Sequence, residues 1–346
     1  MDELISPGEL TFKRKETNTV QPPATSIRSN HRVVLLAVCF LALLTGKALA
    51  TDVPQSPNSP NRKDLVTAVK HLEKRLGFRR TRNFRNESAQ AAVAYRCYYT
   101  GKLELPESYS GLKLAAGTKD GCKLDTQKFD VFFYPMDANA SGKTPLSATL
   151  AHEPTERLLV VVPHEDFHAN KELRKLPETL AEASATLVGF LTAAEVARQQ
   201  LGENSEVYQN LIREPELFAR KAELVNQFHN RLSQLYASVR SGQISDATAL
   251  EQKRQAFDEL RQVCSAIMPA PKSFNRCPTV LNNAGLAFDE TYTKYYPLMY
   301  RLYLAEGREL RTTVDALNKA LKASSEDEAV RNLHEVARIE NNRSGP

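Results

Sequence analysis

Residues 160–168 read VVVPHEDFH, and the predicted fold is built around this segment. Within it, His164, Glu165 and His168 form an H-E-x-x-H pattern. Residues four apart lie on one face of a helix, so the imidazoles of His164 and His168 can bind a single metal ion. Glu165, the neighbour of His164, can reach a water molecule at that ion. Two histidines, one carboxylate and an open fourth position form the ligand set of a catalytic zinc site.

The third ligand has to come from outside this segment. Residues 177–183 read PETLAEA and supply Glu178 and Glu182. Pro177 opens a second predicted helix, which runs from Glu178 to about Gln199. Two helices joined by a short turn pack antiparallel, and such packing can return either Glu178 or Glu182 to the histidines.

Pro163 leaves two structures open for the first helix. A proline inside a helix removes a hydrogen bond and costs about 3 kcal/mol. In one alternative the helix continues through Pro163 in spite of this cost. In the other it begins at Pro163, where proline is tolerated, and Val160 to Val162 form an extended lead-in. Both keep His164 and His168 one turn apart.

The composition is that of a globular protein with a sizeable core: 346 residues, 42% hydrophobic and 25% charged. The formal net charge is +5. Residues 1–50 hold six Lys/Arg and four Asp/Glu, which leaves 40 against 37 for the remainder. An excess of three positive charges over nearly 300 residues predicts no nucleic-acid partner.

The N-terminal region predicts export. Residues 33–44 (VVLLAVCFLALL) are apolar, follow His31-Arg32 and precede Ala48-Leu49-Ala50, which matches a small-x-small cleavage pattern. The apolar run is short for a membrane-spanning helix, which needs about 20 residues. We therefore predict a signal peptide over residues 31–50 and a periplasmic mature protein. Without cleavage, the same segment would anchor the chain in the membrane.

Cysteine usage agrees with an oxidising compartment. The predicted mature chain contains Cys97, Cys122, Cys264 and Cys277, which allow three pairings. The simplest pairings are local, Cys97 with Cys122 and Cys264 with Cys277. No C-x-x-C pair is present, which argues against a cysteine-rich zinc site.

Apolar periodicity predicts an α+β fold that is predominantly α-helical, with a small sheet beside zincin-like active-site helices and a long helical hairpin. Residues 1–50 form the N-terminal extension with the signal peptide, 51–62 a flexible linker, and 63–340 one metallopeptidase-like domain. Within that domain we predict the sheet at about 91–136, the zinc-site helices at about 155–200, the hairpin at about 215–267 and C-terminal helices at 280–340.

The motif by itself is not decisive. With seven histidines, H-E-x-x-H arises by chance in roughly one such chain per hundred, and two surface histidines that bind no metal are the competing explanation. The apolar run before the motif, the carboxylate-bearing helix after it and the export signal favour a metal site. His152 is a rival ligand by proximity, although a solvated loop histidine is the simpler interpretation. His71, His229 and His334 lie on amphipathic helices without a partner motif.

The chain resembles the bacterial predicted aminopeptidases, a gluzincin-like group of exported zinc metallopeptidases. That group pairs an H-E-L-A-H type motif with a downstream N-E-A-F-A-T type segment. The matching stretches here are HEDFH at residues 164–168 and AEASATLV at residues 181–188. The resemblance spans roughly residues 65–320. It implies that Glu182, rather than Glu178, is the third ligand of one zinc ion.

These observations predict an exported zinc metallopeptidase that hydrolyses peptide bonds. His164, His168 and Glu182 are the predicted metal ligands, and Glu165 is the predicted catalytic base. No G-x-M-E-N type element for a free amine is present, so aminopeptidase activity is implied by the resemblance alone. Two alternatives are a catalytically inactive or structural-zinc helical interaction protein of the cell envelope, and a metal-dependent hydrolase of a non-peptide amide. The oligomeric state is not predicted.

Overall fold

A computed structural model of the chain describes residues 61–90, 94–139, 141–270 and 281–339. The described residues all belong to one compact unit. That unit is predominantly helical and has a small antiparallel sheet, which confirms the predicted α+β class. The predicted signal peptide and nearly all of the predicted linker lie outside the described residues, and the predicted division of the chain stays a prediction.

Within the described residues there are eleven α-helices and three strands. The helices are α1 (Arg62–Arg75), α2 (Ala148–His152), α3 (Thr155–Phe167), α4 (Glu178–Leu201), α5 (Glu206–Leu211), α6 (Glu214–Arg240), α7 (Asp246–Ser265), α8 (Asn283–Thr293), α9 (Tyr296–Ala305), α10 (Leu310–Ala320) and α11 (Glu326–Ile339). The strands are β1 (Ala94–Gly101), β2 (Lys113–Ala116) and β3 (Phe129–Met136).

Helices α3 and α4 form the most extensive helix pair of the core. Both are apolar on most sides, and about two thirds of the residues of each are buried. They approach closely at Gly189 of α4, where a Cβ atom would lie 3.0 Å from the carbonyl oxygen of Val160 and 3.2 Å from the Cβ of His164. The missing side chain therefore lets α4 lie directly against the metal motif.

Pro163 lies inside α3, so the first of the two alternatives is the one observed. Its ring nitrogen cannot donate to the carbonyl of Leu159, one turn earlier. Val160, Val161 and Val162 are each 3% exposed or less. Burying such side chains stabilises by roughly 1.5–3 kcal/mol each, so the three valines together outweigh the cost of about 3 kcal/mol for the proline. Burial of the valines thus keeps the segment helical.

Helix α4 is the one described helix that is long and apolar enough to cross a membrane by length and composition. Within the structure, 89% of its most apolar stretch is buried against other parts of the protein. The same apolar sequence is what a central core helix requires, and α4 occupies that position here.

The sheet has the order β2-β1-β3 with antiparallel neighbours. Its register pairs Arg96 with Tyr134 and Tyr98 with Phe132. Alternation along the strands places these four side chains on one face. Three of their rings contact Phe288 of α8, at centroid distances of 5.5 Å for Tyr98, 4.6 Å for Phe132 and 4.9 Å for Tyr134. The sheet is thereby held on α8.

Cys97 on β1 forms a disulfide with Cys122, which confirms the first local pairing. The bond fixes the segment that follows β2 to the middle strand. The second predicted pairing joins Cys264 to Cys277, which lies outside the described residues.

Helices α6 and α7 form the predicted hairpin and have an apolar cluster of their own. Its buried side chains include Val225, Phe228, Leu232, Phe257 and Leu260. A residue of α8, Leu286, belongs to the same cluster and joins the hairpin to the rest of the protein.

Candidate metal centre

The structure brings His164, His168 and Glu182 together. His164 lies in the last turn of α3, and His168 follows the last residue of that helix with helical dihedral angles, φ −57° and ψ −20°. Glu182 lies one turn into α4. The Oε2 atom of Glu182 is 3.1 Å from Nε2 of His164 and 3.2 Å from Nε2 of His168, and the two nitrogens are 3.3 Å apart.

This triangle of atoms fits a zinc ion. A tetrahedral zinc ion about 2.0–2.2 Å from each ligand atom holds those atoms roughly 3.3–3.6 Å apart, close to the distances observed. Two imidazoles and one carboxylate are also a donor set that zinc prefers. The side chains are 3%, 14% and 12% exposed for His164, His168 and Glu182, so one side of the group is accessible. The missing fourth ligand leaves a coordination position for water or substrate.

The other candidate ligands lie elsewhere. Glu178 accepts hydrogen bonds from Ser108 (2.6 Å) and from Ser110. His152 ends α2, and its Nδ1 lies 2.6 Å from the carbonyl oxygen of Ala148. Over the part of the chain that the structure describes, His164, His168 and Glu182 are the group whose ligand atoms converge.

The charges within the group favour an ionised carboxylate. Burial raises the pKa of Glu182, but the charges and hydrogen bonds of the two histidines have the larger combined effect. The pKa of Glu182 therefore lies well below its usual value. Burial also lowers the pKa of His168, but Glu182 outweighs that effect and the pKa is raised. For His164, burial lowers the pKa by more than Glu182 raises it, so the pKa of His164 is lowered. A carboxylate ionised at all ordinary pH values is the form that binds a cation.

Glu165 does not join the ligand group and instead faces the cleft. Burial raises its pKa to about 8, although His168 acts in the opposite direction. A divalent cation held by the neighbouring ligands favours the ionised form of a carboxyl group, because opposite charges a few ångströms apart attract strongly in a buried site. Glu165 can therefore take up and release a proton near neutral pH.

The cleft beside the metal group has a volume of about 300 Å³. Besides Tyr98 of β1, three tyrosines line it: Tyr109 from the segment after β1, Tyr134 from β3 and Tyr292 from α8. The hydroxyl of Tyr109 donates to Oε1 of Glu182 at 3.4 Å. Burial raises the pKa of all three phenols, so they stay protonated and can donate hydrogen bonds. Their place beside the histidines was not predicted from the sequence.

A pattern in the sequence could have pointed to one of the three tyrosines. Tyr134 alternates in phase with Phe132 along β3, which predicts a common face for the two side chains. Tyr109 and Tyr292 lie outside the sheet, and no spacing or motif relates them to the histidines.

Asp166, the central residue of the motif, has a structural role. Its buried carboxylate contacts Lys70 of α1 and accepts hydrogen bonds from Thr81 (2.6 Å) and Asn83 (2.8 Å). These contacts point away from the metal group and tie α3 to α1 and to the segment that follows it. Asp166 thereby holds the end of α3, where both histidines lie.

We expect Asp166→Ala to lower the free energy of unfolding by about 3 kcal/mol. The change leaves the mostly buried ammonium of Lys70 without its nearest carboxylate and two further donors without an acceptor. The measurement is urea unfolding in the presence of a chelator, so that metal binding does not contribute. The control is Asp258→Ala, which removes an exposed carboxylate of α7 and should cost less than about 1 kcal/mol. Equal losses in the two variants would refute the anchoring role.

The fold and the site together define a mainly helical α+β protein with a buried group suited to one metal ion. Residues 113–333 match the family model described as "Putative aminopeptidase". The match covers more than half of the chain, and the chain belongs to this family. The predicted aminopeptidase resemblance is thereby confirmed, and the family implies a hydrolase that acts on peptides. Membership of the gluzincin group stays a prediction. No curated protein and no solved structure matches the chain significantly.

Proposed function

We propose that this protein is an exported zinc-dependent peptidase that removes residues from the N-terminus of peptides. The observation that carries the proposal is the convergence of His164, His168 and Glu182 at the edge of a cleft that Glu165 also lines. The family supports peptide hydrolysis. Export is supported by the apolar run and the cleavage pattern of residues 31–50.

His164, His168 and Glu182 would hold the zinc ion. When bound, zinc would polarise the substrate carbonyl and lower the pKa of a coordinated water molecule to about 7. Glu165 accepts a proton from the attacking water and passes it to the departing nitrogen. Its position in the cleft next to His168, and its raised pKa, support both roles.

The cleft tyrosines would bind the substrate carbonyl. Hydrogen bonds to an oxygen that gains negative charge stabilise the transition state more than the ground state, especially where water is excluded. Tyr109 and Tyr292 are suited to this role because both stay protonated and both line the cleft next to Glu182. Phe288 and Tyr98 add apolar surface for a substrate side chain.

The test is hydrolysis of a peptide library by the purified full chain, with each peptide supplied both with a free and with an acetylated N-terminus. We expect hydrolysis of the free peptides with release of single N-terminal residues. Removal of metal with 1,10-phenanthroline should abolish the activity, and one equivalent of zinc should restore it. Activity that survives metal removal would refute zinc dependence, and internal cleavage of the acetylated peptides would refute the N-terminal direction.

The same experiment decides against the competing functions. A structural-zinc interaction protein would bind one equivalent of zinc and cleave no peptide. A hydrolase of non-peptide amides would also leave the peptide library intact while binding zinc. Only the proposed peptidase is expected to release amino acids in proportion to its zinc content.

A further inference from the structure

A second cavity lies between α1 and the segment 78–85 that follows it, with a volume of about 380 Å³. It shares no lining residue with the cleft of the metal group. Six cationic side chains line it: Lys63, Lys70, Lys74, Arg79, Arg80 and Arg85. Glu73 is the one carboxylate among its lining residues, and burial raises the pKa of Glu73 to about 7. The cavity therefore carries a large excess of positive charge.

Asp166 neutralises Lys70, but the arginines of the cavity have no such partner in the described part of the chain. In the described part of the chain, no carboxylate lies within ion-pair distance of the side chains of Arg79, Arg80 or Arg85, and all three are exposed. Burial and the nearby guanidinium of Arg85 both lower the pKa of Lys70, whereas Glu73 raises it. Like charges gathered without counter-charges destabilise a folded protein unless an anion binds among them.

The backbone that carries the arginines is held in place. The amide of Arg82 donates to the carbonyl of Gly142 at 2.8 Å, and that of Phe84 donates to the carbonyl of Thr144 at 2.6 Å. Asn83 is buried and donates to Asp166. Phe84 adopts the left-handed conformation, with φ of 61°, which is uncommon for a residue with a side chain. The segment is thus ordered before any ligand binds, which lowers the entropic cost of binding.

The cavity also has an apolar floor. Phe78 and Phe84 line it and are 7% and 3% exposed. A charged helix face that is simply exposed to solvent has no concave apolar surface of this kind. The combination suits a ligand with a compact anionic group and an attached carbon skeleton.

We propose that this basic cavity, defined by α1 and residues 78–85, binds a phosphate-bearing ligand. The planar guanidinium groups of Arg79, Arg80 and Arg85 match phosphate oxygens in paired hydrogen bonds, and the lysines add point charges. The volume admits a phosphate ester but not a polymer. Two sources share this chemistry: a soluble phosphate ester and the headgroup of an anionic phospholipid. Fewer than twenty residues separate the apolar run 33–44 from Arg62, so a membrane surface is within reach if that run stays uncleaved.

The test compares the full chain with Arg79→Gln/Arg80→Gln/Arg85→Gln. The control is Arg231→Gln/Arg254→Gln/Arg261→Gln, which removes the same charge from exposed ion pairs on the hairpin. Glycerol 3-phosphate is titrated by calorimetry. Sedimentation is measured with vesicles of phosphatidylglycerol mixed with phosphatidylcholine and with vesicles of phosphatidylcholine alone. The apolar run contributes equally in all variants, so the excess binding to the anionic vesicles reports the cavity.

We expect the wild type and the hairpin control to bind with equal affinity, and the cavity variant to bind at least tenfold more weakly. Saturable binding of glycerol 3-phosphate identifies a soluble ester, and excess binding to the anionic vesicles alone identifies a lipid headgroup. Either result supports the proposal. The absence of binding to both probes, or equal weakening in the hairpin control, would overturn it. Arg80→Glu serves as a second variant if the triple variant loses its cooperative unfolding transition. Neither measurement depends on peptidase activity.

Discussion

The variant Glu165→Gln is expected to lose peptide hydrolysis and to keep one equivalent of zinc. Glutamine has nearly the same shape as glutamate, but its amide cannot accept a proton from water or deliver one to the leaving nitrogen. General acid–base catalysis contributes typically about 10²–10⁴-fold, so we expect kcat/KM to fall by about 10³-fold. Zinc content is measured by atomic emission on the same sample used for the kinetics.

The matched control is Glu156→Gln, which changes a carboxylate in the first turn of the same helix. Its carboxylate accepts a hydrogen bond from Asn210 at 2.8 Å and does not line the cleft. We expect the control to keep nearly full activity. Full activity in Glu165→Gln would show that another group takes the proton, whatever the metal content.

The second large effect is expected at the third ligand. Glu182→Gln should weaken zinc binding by more than about 100-fold. Replacing a residue that only orients a metal ligand already lowers metal affinity or activity by about 10–100-fold, and Glu182 is itself a proposed ligand. The change removes the charge that lies 3.1 Å and 3.2 Å from the two histidine nitrogens. Zinc affinity is measured by competition with a chelating dye, and peptide hydrolysis should be lost in parallel.

Glu178→Gln is the natural control for this experiment. Glu178 lies one turn earlier on α4 and was the other possible ligand. Its carboxylate is engaged by Ser108 and Ser110, so we expect its replacement to leave zinc stoichiometry unchanged. Loss of zinc in Glu178→Gln with retention in Glu182→Gln would reverse the assignment of the third ligand.

Local patterns account for much of the secondary structure. Apolar periodicity predicts the helical hairpin at about 215–267, and α6 and α7 span 214–265. The start of α4 at Glu178 follows from Pro177, which sits just before the helix. Such features depend on neighbours in the sequence, which is why they are readable without the fold.

Contacts between residues far apart in the chain were not predictable from local patterns. Asp166 stands where the H-E-L-A-H type motif has an apolar residue, and its partners Thr81 and Asn83 lie more than 80 residues away. Tyr292 reaches the cleft only because α8 packs against both the sheet and α4. The basic cavity was not predicted either. The net charge of the whole chain does not reveal that four arginines lie within residues 79–85.

The sequence by itself determined the helical class, the spacing of His164 and His168, and the choice of ligand chemistry, since helical periodicity and side-chain donors are local properties. It did not determine whether Pro163 lies inside the helix or at its start. It also could not measure the distance from Glu182 to the histidines. Tertiary packing decided both, because burial of three valines outweighs one lost hydrogen bond, and because Gly189 lets α4 lie against α3 at the metal motif.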